Sequence, residues 1–234
     1  MKQIKTIAIK EFKDYFISPI AYIVISLFLI VTGWFFFSTF FIFGRADLRD
    51  FFSLLPITFS FIIPAITMRL FSEEKNVGSY ETLLTMPVSF TDIALGKFFA
   101  ATLFTASMLV PTLAYPIFIS FIGEVDPGPV IGGYIGAIFL AAAYCSIGLF
   151  ASSLTRNQII AFIVGCALCF TLTILDKLLF FMPSKIISFI EYIGASSHFT
   201  NISRGIIDSR DILYFVSVIF IFIFSTYIVM HEKN

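Results

Sequence analysis

Six stretches of this chain are long and apolar enough to cross a lipid bilayer: about 17–43, 51–70, 98–122, 130–154, 158–181 and 212–230. A helical span needs roughly 20 mostly apolar residues. Charged residues make up only 13% of the chain, against about 25% in a soluble domain. The expected fold class is therefore an all-α polytopic membrane protein with six transmembrane helices in a single domain over 1–234. Pro56 and Pro64 interrupt the second run, and Pro111 and Pro116 the third. Kinks are expected there, because neighbouring helices can satisfy the carbonyls that proline frees. The 32 phenylalanines suit lipid contact and helix packing, and a net charge of zero leaves no nucleic-acid footprint.

Lysine and arginine set the orientation. With the N-terminus inside, nine basic residues face the cytoplasm: Lys2, Lys5, Lys10, Lys13, Arg69, Lys75, Lys97, Arg156 and Lys233. Six face outward: Arg45, Arg49, Lys177, Lys185, Arg204 and Arg210. Both termini are thus expected on the cytoplasmic side. Residues 1–16 read as an interfacial helix with Ile4, Ile7, Ala8, Phe12 and Tyr15 near one side, a stripe that Lys5 interrupts. Its basic residues would meet lipid headgroups at about 1 kcal/mol each, or serve only as a topology-setting tail.

The outer connections at 44–50 and 123–129 are short, the latter with turn chemistry. Residues 182–211 are the exception, with an amphipathic piece at Ile186, Ile187, Phe189, Ile190 and Ile193. This segment lies at the outer interface, re-enters between spans, or runs as a plain surface loop.

Catalytic chemistry is not apparent. Cys145, Cys166 and Cys169 lie inside apolar runs as small packing residues rather than metal or redox ligands. The histidines, His198 and His231, form no metal-binding or triad motif, and the chain has no phosphate-binding loop for ATP. Asp176-Lys177 sits near the outer end of the fifth run, either snorkelling outward or lining a path. A transporter-like body without its own energy source is what remains.

The polar segment at 71–89 divides naturally. The second helix can run to about Asn76, and Gly78 can take the left-handed cap conformation. Ser79 can cap a short helix over 80–86, with Glu81 in its first turn and Tyr80, Leu83 and Leu84 as its apolar face. Pro87 ends it, and Ser89 with Asp92 has capping spacing for the next helix. A short helix of this kind docks into a partner's groove or is a mere connector.

The run Glu73-Glu74-Lys75, Gly78-Ser79, Glu81, Leu83-Leu84 and Pro87-Val88 resembles the signature of type-2 ABC permeases. Glu11-Phe12, Ser18-Pro19, Gly96-Lys97, residues 152–158, Ser197-His198-Phe199 and residues 204–208 extend the resemblance over nearly the whole chain. Ser18-Pro19-Ile20-Ala21-Tyr22 and residues 64–70 look most like the gliding-motility-associated, GldF-like permeases. Ser79 stands where the family often has threonine, and a hydroxyl cap is retained.

The resemblance implies a multi-pass subunit of the bacterial cytoplasmic membrane. It would pair with a second permease subunit and be driven by cytoplasmic ABC ATPases, which would bind ATP and magnesium; no cofactor or metal is expected in this chain. It implies that Glu73, Glu74, Gly78, Ser79, Glu81 and Leu84 couple to the ATPase, and that Lys5, Lys10, Glu11, Phe12 and Lys13 belong to the interfacial helix, in contact with lipid. Asp176, Lys177, His198 and Phe199 are then candidates for an outer gate. The expected function is export of a substrate. The alternative is a force-transmitting scaffold in a motility or secretion complex, with an accessory partner on the outer face.

Overall fold

Long apolar helices joined by short polar turns account for the architecture. The computed structural model describes residues 2–43, 47–78, 89–123, 125–178, 192–206 and 208–232. Within them the helices are α1 (Lys2–Ile17), α2 (Pro19–Phe43), α3 (Arg49–Thr67), α4 (Arg69–Val77), α5 (Phe90–Leu109), α6 (Ala114–Ser120), α7 (Pro127–Leu154), α8 (Gln158–Leu178), α9 (Ala195–Ser203) and α10 (Ser209–Glu232). No strand occurs among the described residues. Six helical stretches are long and apolar enough to cross a membrane: Pro19–Ile42, Arg49–Val77, Phe90–Ser120, Pro127–Leu154, Gln158–Lys177 and Ser209–His231. The chain is a polytopic all-α membrane protein.

The bundle is organised around α7, which packs on α3, α4, α5, α8, α9 and α10. Its apolar window is 78% buried, against 22% for α2 and 17% for α10. Small residues make this possible, since association within lipid depends on close van der Waals approach. A Cβ at Gly133 would enter the ring of Phe52, and one at Gly148 would overlap the Thr67 hydroxyl. By contrast α2 turns Ile23, Leu27, Ile30, Trp34 and Phe41 outward, as a lipid-facing helix must.

Two details differ from the expectation. Pro127-Gly128-Pro129 is not an outer turn but the first turn of α7, capped by Asp126 Oδ1, which accepts from Gly128 N at 3.1 Å. Proline suits that turn because its missing N–H would be unpaired anyway. The helix of the third span begins at Phe90, capped by Ser89 as its spacing with Asp92 predicts, two turns before the apolar run, so Lys97 lies inside the helix. The second difference is in the second span: α3 runs unbroken through Pro56 and Pro64, as expected, and a break falls at Met68. There the Ser152 hydroxyl of α7 inserts into the helical ladder, a recognised cause of helix kinking. After Leu109 the third span tightens into a 3-10 turn, Val110–Leu113, which contains Pro111.

Candidate coupling site

The face of the bundle that carries both chain ends also carries α1, α4, the start of α5 and the end of α7. Here α1 lies against α5 with its expected stripe inward: Ala8 and Tyr15 are buried and Ile4, Ile7 and Phe12 half-buried, while Lys5, Lys10 and Lys13 are exposed. Gly96 permits the contact, since a Cβ there would stand 2.7 Å from Ile7 Cγ2 and 3.3 Å from Ile4 O.

The next residue, Lys97, is the centre of the site. Its ammonium lies 3.0 Å from Glu11 Oε1 of α1 and 2.6 Å from Glu74 Oε1 of α4, and 5.4 Å from the Phe71 ring centroid. The Lys97 side chain is 2% exposed, those of Glu11 and Glu74 15% and 18%. Burying an ammonium costs several kcal/mol unless its partners are well placed. Two carboxylates from separate helices meet that requirement, so one cation ties three elements together.

Two further links run between α1 and the second span. The Tyr15 hydroxyl donates to Ile66 O at 3.3 Å while its ring stacks on Phe104, centroids 4.7 Å apart. Burial holds the Tyr15 hydroxyl well above its ordinary range, so it stays a neutral donor. Arg69 Nη2 donates to Ser18 Oγ at 3.1 Å, at the joint between α1 and α2, and Arg69 Nε lies 4.0 Å from Glu73 Oε2. A polar cavity of about 260 Å³ opens beside Lys10, Asp14, Arg69 and Glu73. The end of α4 is held to α7 as well, because Lys75 Nζ donates to Ser153 O.

The coupling residues inferred from sequence divide accordingly. Glu74 turns inward to Lys97, whereas the Glu73 side chain is 52% exposed. Gly78 ends α4 at φ +82°, with nothing within 4 Å of a notional Cβ, so its requirement is backbone conformation and not space. Ser79, Glu81 and Leu84 lie outside the described residues. The chain resumes at Ser89, whose Oγ accepts from Asp92 N at 3.2 Å and caps α5. Lys97 is the residue that sequence reasoning missed as a site residue. Its signal was a lone lysine two turns inside a helix whose following turns carry no charge.

At the opposite face the gate candidates take separate places. Asp176 Oδ2 accepts from Ser197 N at 2.6 Å and so caps α9 from another helix, an approach that only a glycine at 194 permits. Lys177 is exposed. His198 stacks on Tyr214, centroids 4.1 Å apart, with Nδ1 2.6 Å from Asp211 Oδ1 and Nε2 3.3 Å from Tyr192 O. Phe199 is core, buried against the Gly136 face of α7. Asp211 and Tyr214 were not singled out from sequence. The rest of the outer segment, 182–191, lies outside the described residues. Asp176→Ala should weaken the cap on α9 by about 1 kcal/mol, read as a lower unfolding temperature with the spans still inserted.

Among the described residues no group of three or more His, Cys, Asp or Glu is arranged to hold a metal ion. What the terminal face offers is a buried ionic linkage between α1, α4 and the start of α5. A family model described as ABC-2 family transporter protein matches residues 5–228. The chain belongs to that family. As an ABC-2 permease it is a non-catalytic membrane component of an ABC transporter, and its family implies ABC ATPase partners. Compared with curated proteins, the permease finds no significant match.

Proposed function

We propose that the chain is the permease of an ATP-driven exporter. It is set in a bacterial cytoplasmic membrane with both termini in the cytoplasm, pairs with a second permease subunit, and is nearest in kind to the gliding-motility-associated permeases. Cytoplasmic ATPases bind ATP and magnesium and dock on the segment that follows Gly78. Their closure pushes α4, and the push reaches α1 and α5 through Lys97. The observation that carries this reading is the single buried ammonium shared by Glu11 and Glu74. Polar networks enclosed in this way transmit displacement as a unit because breaking them is costly.

Gly78→Val tests the docking half of the reading. The left-handed backbone costs a side-chain-bearing residue about 1–2 kcal/mol, so the turn that presents the docking segment is displaced. Membrane insertion stays normal, while permease-dependent ATP hydrolysis by the co-purified ATPase falls about tenfold. Wild-type hydrolysis in Gly78→Val would remove the docking role from this segment.

A further inference from the structure

The break at Met68 is built by a residue from another helix. Ser152 Oγ donates to Met68 O at 2.7 Å and accepts from Phe71 N and Ser72 N, each at 3.0 Å. One fully buried hydroxyl thus uses its donor and both acceptor sites on the backbone of the second span. The Ser72 side chain donates to the same Met68 carbonyl. One turn earlier, Thr67 seats against Gly148 of α7. One turn later, Lys75 reaches the carbonyl of Ser153. Two other buried serines of α7 bond within their own helix: Ser146 donates to Ala143 O at 2.7 Å, and Ser153 to Phe150 O at 2.7 Å.

We propose that Ser152 is the positioning residue of the transport cycle, the pin of a hinge at Met68 about which α4 swings relative to the spans. The inference rests on the coupling role proposed for α4. A helix whose backbone donors are served by a neighbour's hydroxyl can bend at that point without orphaning them, and the pin fixes where it bends. Without the hydroxyl, the amides of Phe71 and Ser72 lose this buried acceptor, and Met68 O keeps the Ser72 hydroxyl. The ladder must then close into a straight helix or bend elsewhere. In either case displacement of α4 is no longer delivered at the Thr67–Gly148 contact.

The test uses the permease purified with its ATPase, with Cys145, Cys166 and Cys169 replaced by alanine and spin labels at Val77→Cys and Asn157→Cys. In the otherwise wild-type protein, ATP shifts the distance between the labels. In Ser152→Ala the resting distribution broadens and the population responding to ATP falls about tenfold, while the ATPase still binds. Ser152→Thr, which keeps the hydroxyl, restores the response. Ser146→Ala, which removes an equally buried hydroxyl from the same helix, leaves it unchanged. If Ser152→Ala does not insert, Ser152→Gly replaces it, since it also lacks the hydroxyl and adds no thiol to the labelled protein. A wild-type response in Ser152→Ala, or equal loss in Ser146→Ala, overturns the pin. No ATP-dependent shift in the wild-type protein overturns instead the coupling role on which it rests.

Discussion

Lys97→Met should produce the largest loss of any single change at the terminal face. Removing one partner from a buried ionic cluster costs about 3–5 kcal/mol, because the remaining charges stay buried without compensation. Here the remainder is two carboxylates, Glu11 and Glu74, that share a single cation within 3.0 Å of each. They would repel, and α1 would separate from α4. The unfolding temperature in lipid nanodiscs should fall accordingly, and permease-dependent ATP hydrolysis should be lost. The triple change Lys97→Met, Glu11→Gln and Glu74→Gln separates the two effects. Replacing a whole buried cluster with uncharged groups is often near neutral for stability, so the unfolding temperature should largely recover. Hydrolysis should not recover, since no shared ion joins the helices. Recovery of both would reduce the cluster to a packing feature.

Gly148→Leu should have the second-largest effect, for a steric reason. A Cβ at position 148 would overlap Thr67 Oγ1, at the seam where α7 meets the end of α3. Overpacking costs about 1–3 kcal/mol, and more where the neighbour cannot yield. Thr67 is fixed, because its hydroxyl donates to Ile63 O at 2.9 Å and its side chain is fully buried. The smaller Gly148→Ala gives a compensation series. Thr67→Ala relieves only the hydroxyl overlap, since Thr67 Cβ would still stand 2.9 Å from the new Cβ. Thr67→Gly relieves both. The yield of folded, membrane-inserted protein should therefore rise from Gly148→Ala alone, through the pair with Thr67→Ala, to the pair with Thr67→Gly. Equal yields across the series would show that the seam is loose.

The six spans were legible in the sequence because hydrocarbon demands one property, apolar length, that a linear chain displays directly. The stripe of α1 and the glycine cap at 78 were legible for a similar reason, since helical period and left-handed backbone are local. The start of α5 was legible from the capping spacing of Ser89 and Asp92, but the apolar run was drawn only from residue 98 because Lys97 read as water-exposed. Asp92 is a first-turn residue of the helix, while Lys97 is neutralised by carboxylates from 86 residues before it and 23 before it. No local pattern announces that meeting. Glu11 and Glu74 were both singled out, but as members of different elements, and the cation that joins them was counted towards topology and the family resemblance but not as a site residue. The break at Met68 was not legible at all. The hydroxyl inserted there belongs to a serine 84 residues away, and no local pattern links the two positions.

The central claim is that α1 and α4 move as one body because Lys97 joins them. The most direct measurement is the distance between spin labels at Ile9 of α1 and Val77 of α4, both exposed, in the ATPase complex with and without ATP. The account predicts one narrow, unchanged distance in the otherwise wild-type permease and a broad, ATP-sensitive one in Lys97→Met. A wild-type distance that shifts with ATP as far as the variant's would contradict it.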